Sequence, residues 1–167
     1  LRWGAGVGDE KVVRTFQAGS GSAGGALTAA AEASDYAFDP AGLRMLEVNK
    51  GEARLWDLQT GQLLPHKLSL ADVVFSAPAF SPDGSILALR GKTSKGQSDT
   101  LYLWQMAADK TTTMPLTTGA SNGGLLVAFA PDNQRFAYSR LDKNFYLCNL
   151  ASGAPMCRLG GSNTTWI

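Results

Sequence analysis

The sequence predicts an all-β chain: an incomplete β-propeller of about three four-stranded antiparallel blades, with partial blades at both ends. First, an aromatic-x-Pro turn occurs three times, at Phe38-Asp39-Pro40-Ala41-Gly42, Phe80-Ser81-Pro82-Asp83-Gly84 and Phe129-Ala130-Pro131-Asp132-Asn133. The copies start 42 and 49 residues apart (38 to 80, 80 to 129), near the period of roughly 40–45 residues that marks a four-stranded blade. Second, each turn is followed by an apolar strand and then by a segment centred on Trp or its stand-in: Leu55-Trp56-Asp57-Leu58, Leu103-Trp104-Gln105-Met106 and Leu147-Cys148-Asn149-Leu150. Third, 44% hydrophobic and only 17% charged residues describe a globular chain, and 19 glycines suit many tight turns between short strands.

Along the chain, residues 1–16 read as the end of one blade. Leu1-Arg2-Trp3 matches a third strand (c), and Val12-Val13-Arg14-Thr15-Phe16 matches a fourth (d). Residues 17–35, rich in Gly, Ala and Ser, read as a flexible insertion with an Ala-rich helix near Leu27 to Ala33. The first whole blade covers 36–68. Strand a ends at Phe38, strand b runs from Leu43 to Val48, strand c from Ala53 to Leu58 and strand d from Leu63 to Leu68. Pro40 fixes its own φ in the a–b turn, and Gly42 tolerates a positive one.

The second blade covers 73–116, with strands at Val73 to Phe80, Ile86 to Arg90, Leu101 to Met106 and Thr113 to Leu116. The third covers 124–159, with strands at Leu125 to Phe129, Arg135 to Ser139, Phe145 to Leu150 and Met156 to Leu159. Residues 160–167, ending Thr164-Thr165-Trp166-Ile167, read as the start of a further blade. Every strand is β-branched, aromatic or leucine-rich and is bounded by Asp, Asn, Gly, Ser or Pro.

Three phased copies make the chain resemble the WD40 repeat family. The strongest matches are Phe80-Ser81-Pro82-Asp83-Gly84 and Arg54-Leu55-Trp56-Asp57-Leu58-Gln59-Thr60-Gly61. The resemblance implies a propeller that assembles other proteins around a rigid disc, with Phe38, Phe80, Phe129, Trp56, Trp104 and Asp57 as structural repeat residues. The family often carries a Gly-His pair before strand a, which is absent here, and an Asp in the b–c turn. Only Asp142 fits that place; Lys50 and Ser98 hold it in the other blades. The family's hydrogen-bonded tetrad therefore cannot form as a full set. TolB-type propeller repeats share the Phe-Ser-Pro-Asp-Gly turn and are the second resemblance, with Leu101-Tyr102-Leu103 and Pro115-Leu116-Thr117 on their side.

No constellation for chemistry emerges. Gly19-Ser20-Gly21-Ser22-Ala23-Gly24 spells GxGxxG, and Glu47 lies at ribose-binding spacing. That reading needs a βαβ unit, and Glu47 already belongs to a repeat. His66 is the sole histidine, so a Ser-His-acid triad or zinc site lacks its parts. Asp39, Asp83 and Asp132 occupy separate a–b turns, where Asp stabilises a turn locally. Trp56 and Trp104 read as filling between blades. Cys148 and Cys157 share one hairpin, close enough to bridge, and read as free thiols of a cytoplasmic protein.

Function is therefore expected in the loops. Antiparallel blades put a–b and c–d turns on one face and b–c and d–a connections on the other. The second face receives both long insertions, 17–35 and 91–100. Lys50, Lys92, Lys95, Arg140 and Lys143 make it mildly basic, against Glu52, Asp99 and Asp142. It is the expected partner-binding face. The chain is read as a non-catalytic scaffold without cofactor or metal, binding other proteins. A net charge of +1 gives no electrostatic case for nucleic acid, and no apolar run is long enough to span a membrane. The start at Leu1, without Met, reads as a piece of a longer multidomain protein. The alternatives are the propeller part of an enzyme, linked to a hydrolase or kinase with its catalytic residues outside this chain, and a periplasmic TolB-like propeller.

Overall fold

The computed structural model describes residues 2–5, 11–16, 23–29, 35–93, 99–116, 127–139 and 144–159. Three four-stranded antiparallel sheets follow one another. Blade 1 is β4 (Asp35–Phe38), β5 (Arg44–Asn49), β6 (Glu52–Asp57) and β7 (Leu63–Ser69), which follow β1 (Arg2–Ala5), β2 (Lys11–Phe16) and β3 (Ala23–Ala29) of a preceding three-stranded sheet. Blade 2 is β8 (Val73–Phe80), β9 (Ile86–Thr93), β10 (Asp99–Gln105) and β11 (Lys110–Leu116). Blade 3 is β12 (Val127–Phe129), β13 (Arg135–Ser139), β14 (Phe145–Asn149) and β15 (Pro155–Leu159). Within each blade the strands pair in sequence order, a simple meander.

The register repeats from blade to blade. Phe38 faces Met45, which faces Trp56, which faces Leu63. The matching rows are Phe80, Leu87, Trp104 and Thr111, then Phe129, Phe136, Cys148 and Pro155. Period-2 alternation sends this row to one side of the sheet and its neighbours to the other. Trp104 and Phe75, both wholly buried, pack with Leu46, Val48, Leu55, Leu87 and Leu89 in the core between blades 1 and 2. Phe136, Tyr138 and Cys148 pack with Ala88, Leu101 and Leu103 between blades 2 and 3. Apolar rows from adjacent blades therefore make the core, as the aromatic spacing predicts.

The a–b turns are near copies. Asp39, Ser81 and Ala130 each donate their N–H to the carbonyl of Arg44, Ile86 or Arg135 across the turn, at 2.8–3.0 Å. Gly42, Gly84 and Asn133 take φ values of +68°, +68° and +53°. Each outer strand, β7, β11 and β15, carries one proline (Pro65, Pro115, Pro155), a residue without an N–H.

One sequence expectation is corrected at the N-terminal end. Residues 23–29 form a strand paired with β2, where the Ala-rich run predicts a helix that begins at Leu27. Alanine's helix propensity is a weak prior, and an available strand edge overrides it. Arg2–Ala5 and Lys11–Phe16 pair as adjacent antiparallel strands, as expected for neighbouring strands of one blade, and Ala23–Ala29 adds a third strand beside Lys11–Phe16. Residues 17–22 and 30–34 of the expected insertion lie outside the described residues. The expected strand at 164–167 lies outside the described residues.

Candidate functional site

The b–c/d–a face is held together at the joint of blades 1 and 2. Phe75 N–H donates to the Lys50 carbonyl at 2.7 Å, and Leu70 N–H donates to the Gly51 carbonyl at 2.9 Å. The b–c turn of blade 1 is thus bonded to the d–a connection that follows it. Gly51 permits this approach: a Cβ there would lie 2.5 Å from the Val73 carbonyl oxygen and would also collide with that of Leu70. Lys50, at φ +52°, is exposed on this fixed turn.

Lys92 is exposed near the tip of the β9–β10 hairpin, opposite Asp99. At eight and seven residues, β9 and β10 are longer than β5 and β6 (six each) or β13 and β14 (five each). Blade 2 therefore projects beyond its neighbours on this face. Below Lys92, Arg90 Nη2 donates to Asp99 Oδ2 at 2.6 Å, with Asp99 only 7% exposed. Lys95, Arg140, Lys143 and Asp142 lie outside the described residues.

The opposite face is a clasp. Arg44 donates through Nε to Asp39 Oδ2 at 3.0 Å and through Nη2 to the Gly84 carbonyl at 2.8 Å, tying the first two a–b turns together. Asp39, buried, also accepts from Leu43 N–H and Arg44 N–H. Asp83 accepts from the Ser81 and Ser85 hydroxyls, and Asp132 from Gln134 N–H and Arg135. These carboxylates are committed to turns and do not converge. Asp57 accepts from Gln59 N–H and Thr60 N–H, both at 2.8 Å, and so fixes the c–d turn after Trp56. Asn149 does the same work for Ser152, while blade 2 replaces this turn with a 3-10 turn at Met106–Ala108.

The two tryptophans diverge. Trp104 is wholly buried between blades, as the repeat predicts, and its indole N–H donates to Asp109 Oδ1 at 3.1 Å. Trp56 is only partly buried, on the side of blade 1 away from blade 2, with Met45, Leu58, Tyr36 and Phe38. Its indole N–H donates to Glu47 Oε2 at 2.7 Å, and Arg54 Nη2 donates to Glu47 Oε1 at 3.2 Å. Glu47 is wholly buried. Burial first, and the Glu47 charge second, push the Tyr36 phenol up.

Sequence reasoning considered Glu47 only at dinucleotide spacing and missed this network. The usable signal was in the repeat itself, because Glu47 falls where blades 2 and 3 have Leu89 and Tyr138. His66 is exposed on β7. Cys148 is buried and Cys157 exposed, both free; Cys157 faces Leu147, which puts it on the other side of the sheet from Cys148. Burial, and then Cys157, raise the Cys148 thiol.

No protein-family model matches the chain. It is 29% identical over 103 residues to "WD repeat and SOCS box-containing protein 1" of Homo sapiens, covering 62% of this chain and 23% of that protein. It is 30% identical over 130 residues to "Periodic tryptophan protein 2 homolog" of Neurospora crassa, covering 77% of this chain and 14% of that one. The solved structure of U3-55K superposes on 77% of this chain and 39% of its own with a TM-score of 0.58 at 19% identity, a likeness of fold. The blades are WD40-type repeats.

This settles the family resemblance on the WD40 side, the one to which Trp56-Asp57 and Thr60-Gly61 point. The chain spans 23% and 14% of the length of these two curated relatives. No helix among the described residues is long and apolar enough to cross a membrane. Among the described residues, Asp39, Asp57, Asp83 and Asp132 hold turns, while Lys50 and Lys92 are exposed.

Proposed function

We propose that the chain is a non-catalytic protein-interaction scaffold, the repeat region of a larger multidomain protein, and that it takes its partners on the b–c/d–a face. The projecting β9–β10 hairpin carries the reading, because it places Lys92 beyond neighbouring blades while hydrogen bonds to the following connection fix the Lys50 turn. Such a face presents cations at set positions, suited to an acidic surface on another protein. Lys95, Arg140 and Lys143 are proposed to add to it. The name of the human relative joins WD repeats to a SOCS box, which agrees with repeats attached to another domain.

The test is charge reversal of Lys50 and Lys92 in the full-length protein, with affinity for an identified partner as readout. The expected result is weaker binding that depends on salt. Unchanged affinity would reject this face.

A further inference from the structure

The residue whose carbonyl closes each a–b turn is Arg44, Ile86 or Arg135. Strand alternation puts it on the side of the sheet away from Met45, Leu87 or Phe136, the side that meets a following blade. Arg44 crosses the joint from there: Nε holds Asp39 of its own turn, and Nη2 reaches the Gly84 carbonyl of the next. Ile86 packs instead into the core between blades 2 and 3. Arg135 holds its own turn, Nη2 to Asp132 Oδ2 at 2.8 Å, and no other acceptor takes a donor of its guanidinium among the described residues. Its side chain is 48% exposed.

The rest of this side of blade 3 is apolar and open. Ala128, Ala137 and Leu147 form one row. Their counterparts are Ala37, Leu46 and Leu55 in blade 1, then Ala79, Ala88 and Leu103 in blade 2. With a blade following them, Leu46, Leu55, Ala88 and Leu103 are all buried, to 3% exposure or less. Ala137 and Leu147 are only half-buried, and Ala128 is exposed.

We infer that this side of blade 3 seats a further four-stranded sheet of the same polypeptide, and that Arg135 is the arm that clasps the a–b turn of that sheet by a backbone carbonyl. The inference rests on the reading of the chain as the repeat region of a larger protein, and not on the b–c/d–a face. Arg135 and Asp132 balance each other as Arg44 and Asp39 do, so the fitting acceptor is a neutral carbonyl like that of Gly84. A guanidinium has donors enough for both. The covering sheet should bring a large ring to the row. Ala137 stands where blade 2 has Ala88, and Ala88 packs in the cluster of Phe136 and Tyr138, small against large.

The test is amide hydrogen exchange of this chain and of the full-length protein. The strands of blade 3 should exchange more slowly in the full-length protein, and Arg135→Met should speed exchange there about tenfold, the worth of one hydrogen bond. In this chain the same substitution should change nothing beyond its own turn, while Arg44→Met should speed exchange at the joint of blades 1 and 2 in both proteins. Ala128→Glu, at an exposed position here, should likewise loosen only the full-length protein. Equal effects of Arg135→Met in both proteins, or none in either, would overturn the clasp. Protection of blade 3 that rises with the concentration of this chain would overturn it too, by making a second copy the occupant. Partner binding weakened by Lys50→Glu/Lys92→Glu beside a silent Arg135→Met would keep the scaffold reading and sink this inference alone.

Discussion

The indole N–H of Trp56 is bonded at 2.7 Å to Glu47, a carboxylate with no exposed surface. The same repeat place in blades 2 and 3 is Leu89 and Tyr138, so an acid is not part of the blade plan. Glu47→Ala would remove the acceptor of two donors on partly buried side chains, Trp56 Nε1 and Arg54 Nη2. The expected loss is about 1–3 kcal/mol, the cost of leaving partly buried donors without their acceptor. Replacing acid and donors together (Glu47→Leu with Trp56→Phe and Arg54→Leu) should recover much of it. Urea unfolding of the three proteins decides; equal midpoints for wild type and the alanine variant would show that Glu47 holds nothing.

The two repeat tryptophans should not cost the same. Trp104→Ala opens a cavity in the core between blades 1 and 2, where the loss should be about 3–5 kcal/mol. Trp56→Ala acts on a half-open side chain and should cost less. A larger loss at Trp56 would contradict the burial described for the pair.

Two glycines separate backbone strain from collision. Gly42, at φ +68°, would leave an added Cβ with nothing within 4 Å, so Gly42→Ala should cost only the left-handed conformation, about 1–2 kcal/mol. At Gly51 a Cβ meets two carbonyl oxygens of the next connection, so Gly51→Ala must push the blades apart and break the Lys50–Phe75 bond. It should cost more than Gly42→Ala, and thermal unfolding ranks them. The reverse order would mean the joint yields easily.

Asp57, Asp83 and Asp132 all lie below the usual carboxylate range. The leading causes are the Thr60 N–H for Asp57, the Ser81 hydroxyl for Asp83 and the Gln134 N–H for Asp132. A folded value below the unfolded one stabilises the fold above the unfolded range. That stabilisation is lost as pH falls below about 4, through the lower folded values. The melting temperature should therefore fall with acid in this window. The slope should flatten in an Asp57→Asn/Asp83→Asn/Asp132→Asn variant, and an unchanged slope would remove the turns from the account of acid stability.

Much of the architecture was legible because it repeats. Phe38, Phe80 and Phe129, with Trp56 and Trp104, phase the blades, and β8 and β13 begin and end where the sequence places them. The N-terminal sheet was not legible, because alanine and glycine carry no period and Ala23–Ala29 becomes a strand only beside β2. Of the proposed contact residues, Lys50 and Lys92 stand exposed on the expected face. The position of Glu47 against Trp56 and Arg54 was hidden for another reason: a cross-strand contact depends on register, and a single repeat read alone looks like an ordinary polar residue in a strand.

Pro65, Pro115 and Pro155 have a consequence for the chain in a crowded solution. A fibril grows by laying one molecule's strand against another's through an unbroken ladder of amide donors and carbonyls. Each blade here ends on a strand with a missing rung, so a second molecule's strand cannot lie flush along it. A scaffold of the kind proposed above would raise local concentration wherever it works. These three rings let blades stand side by side at such density without seeding their own polymerisation.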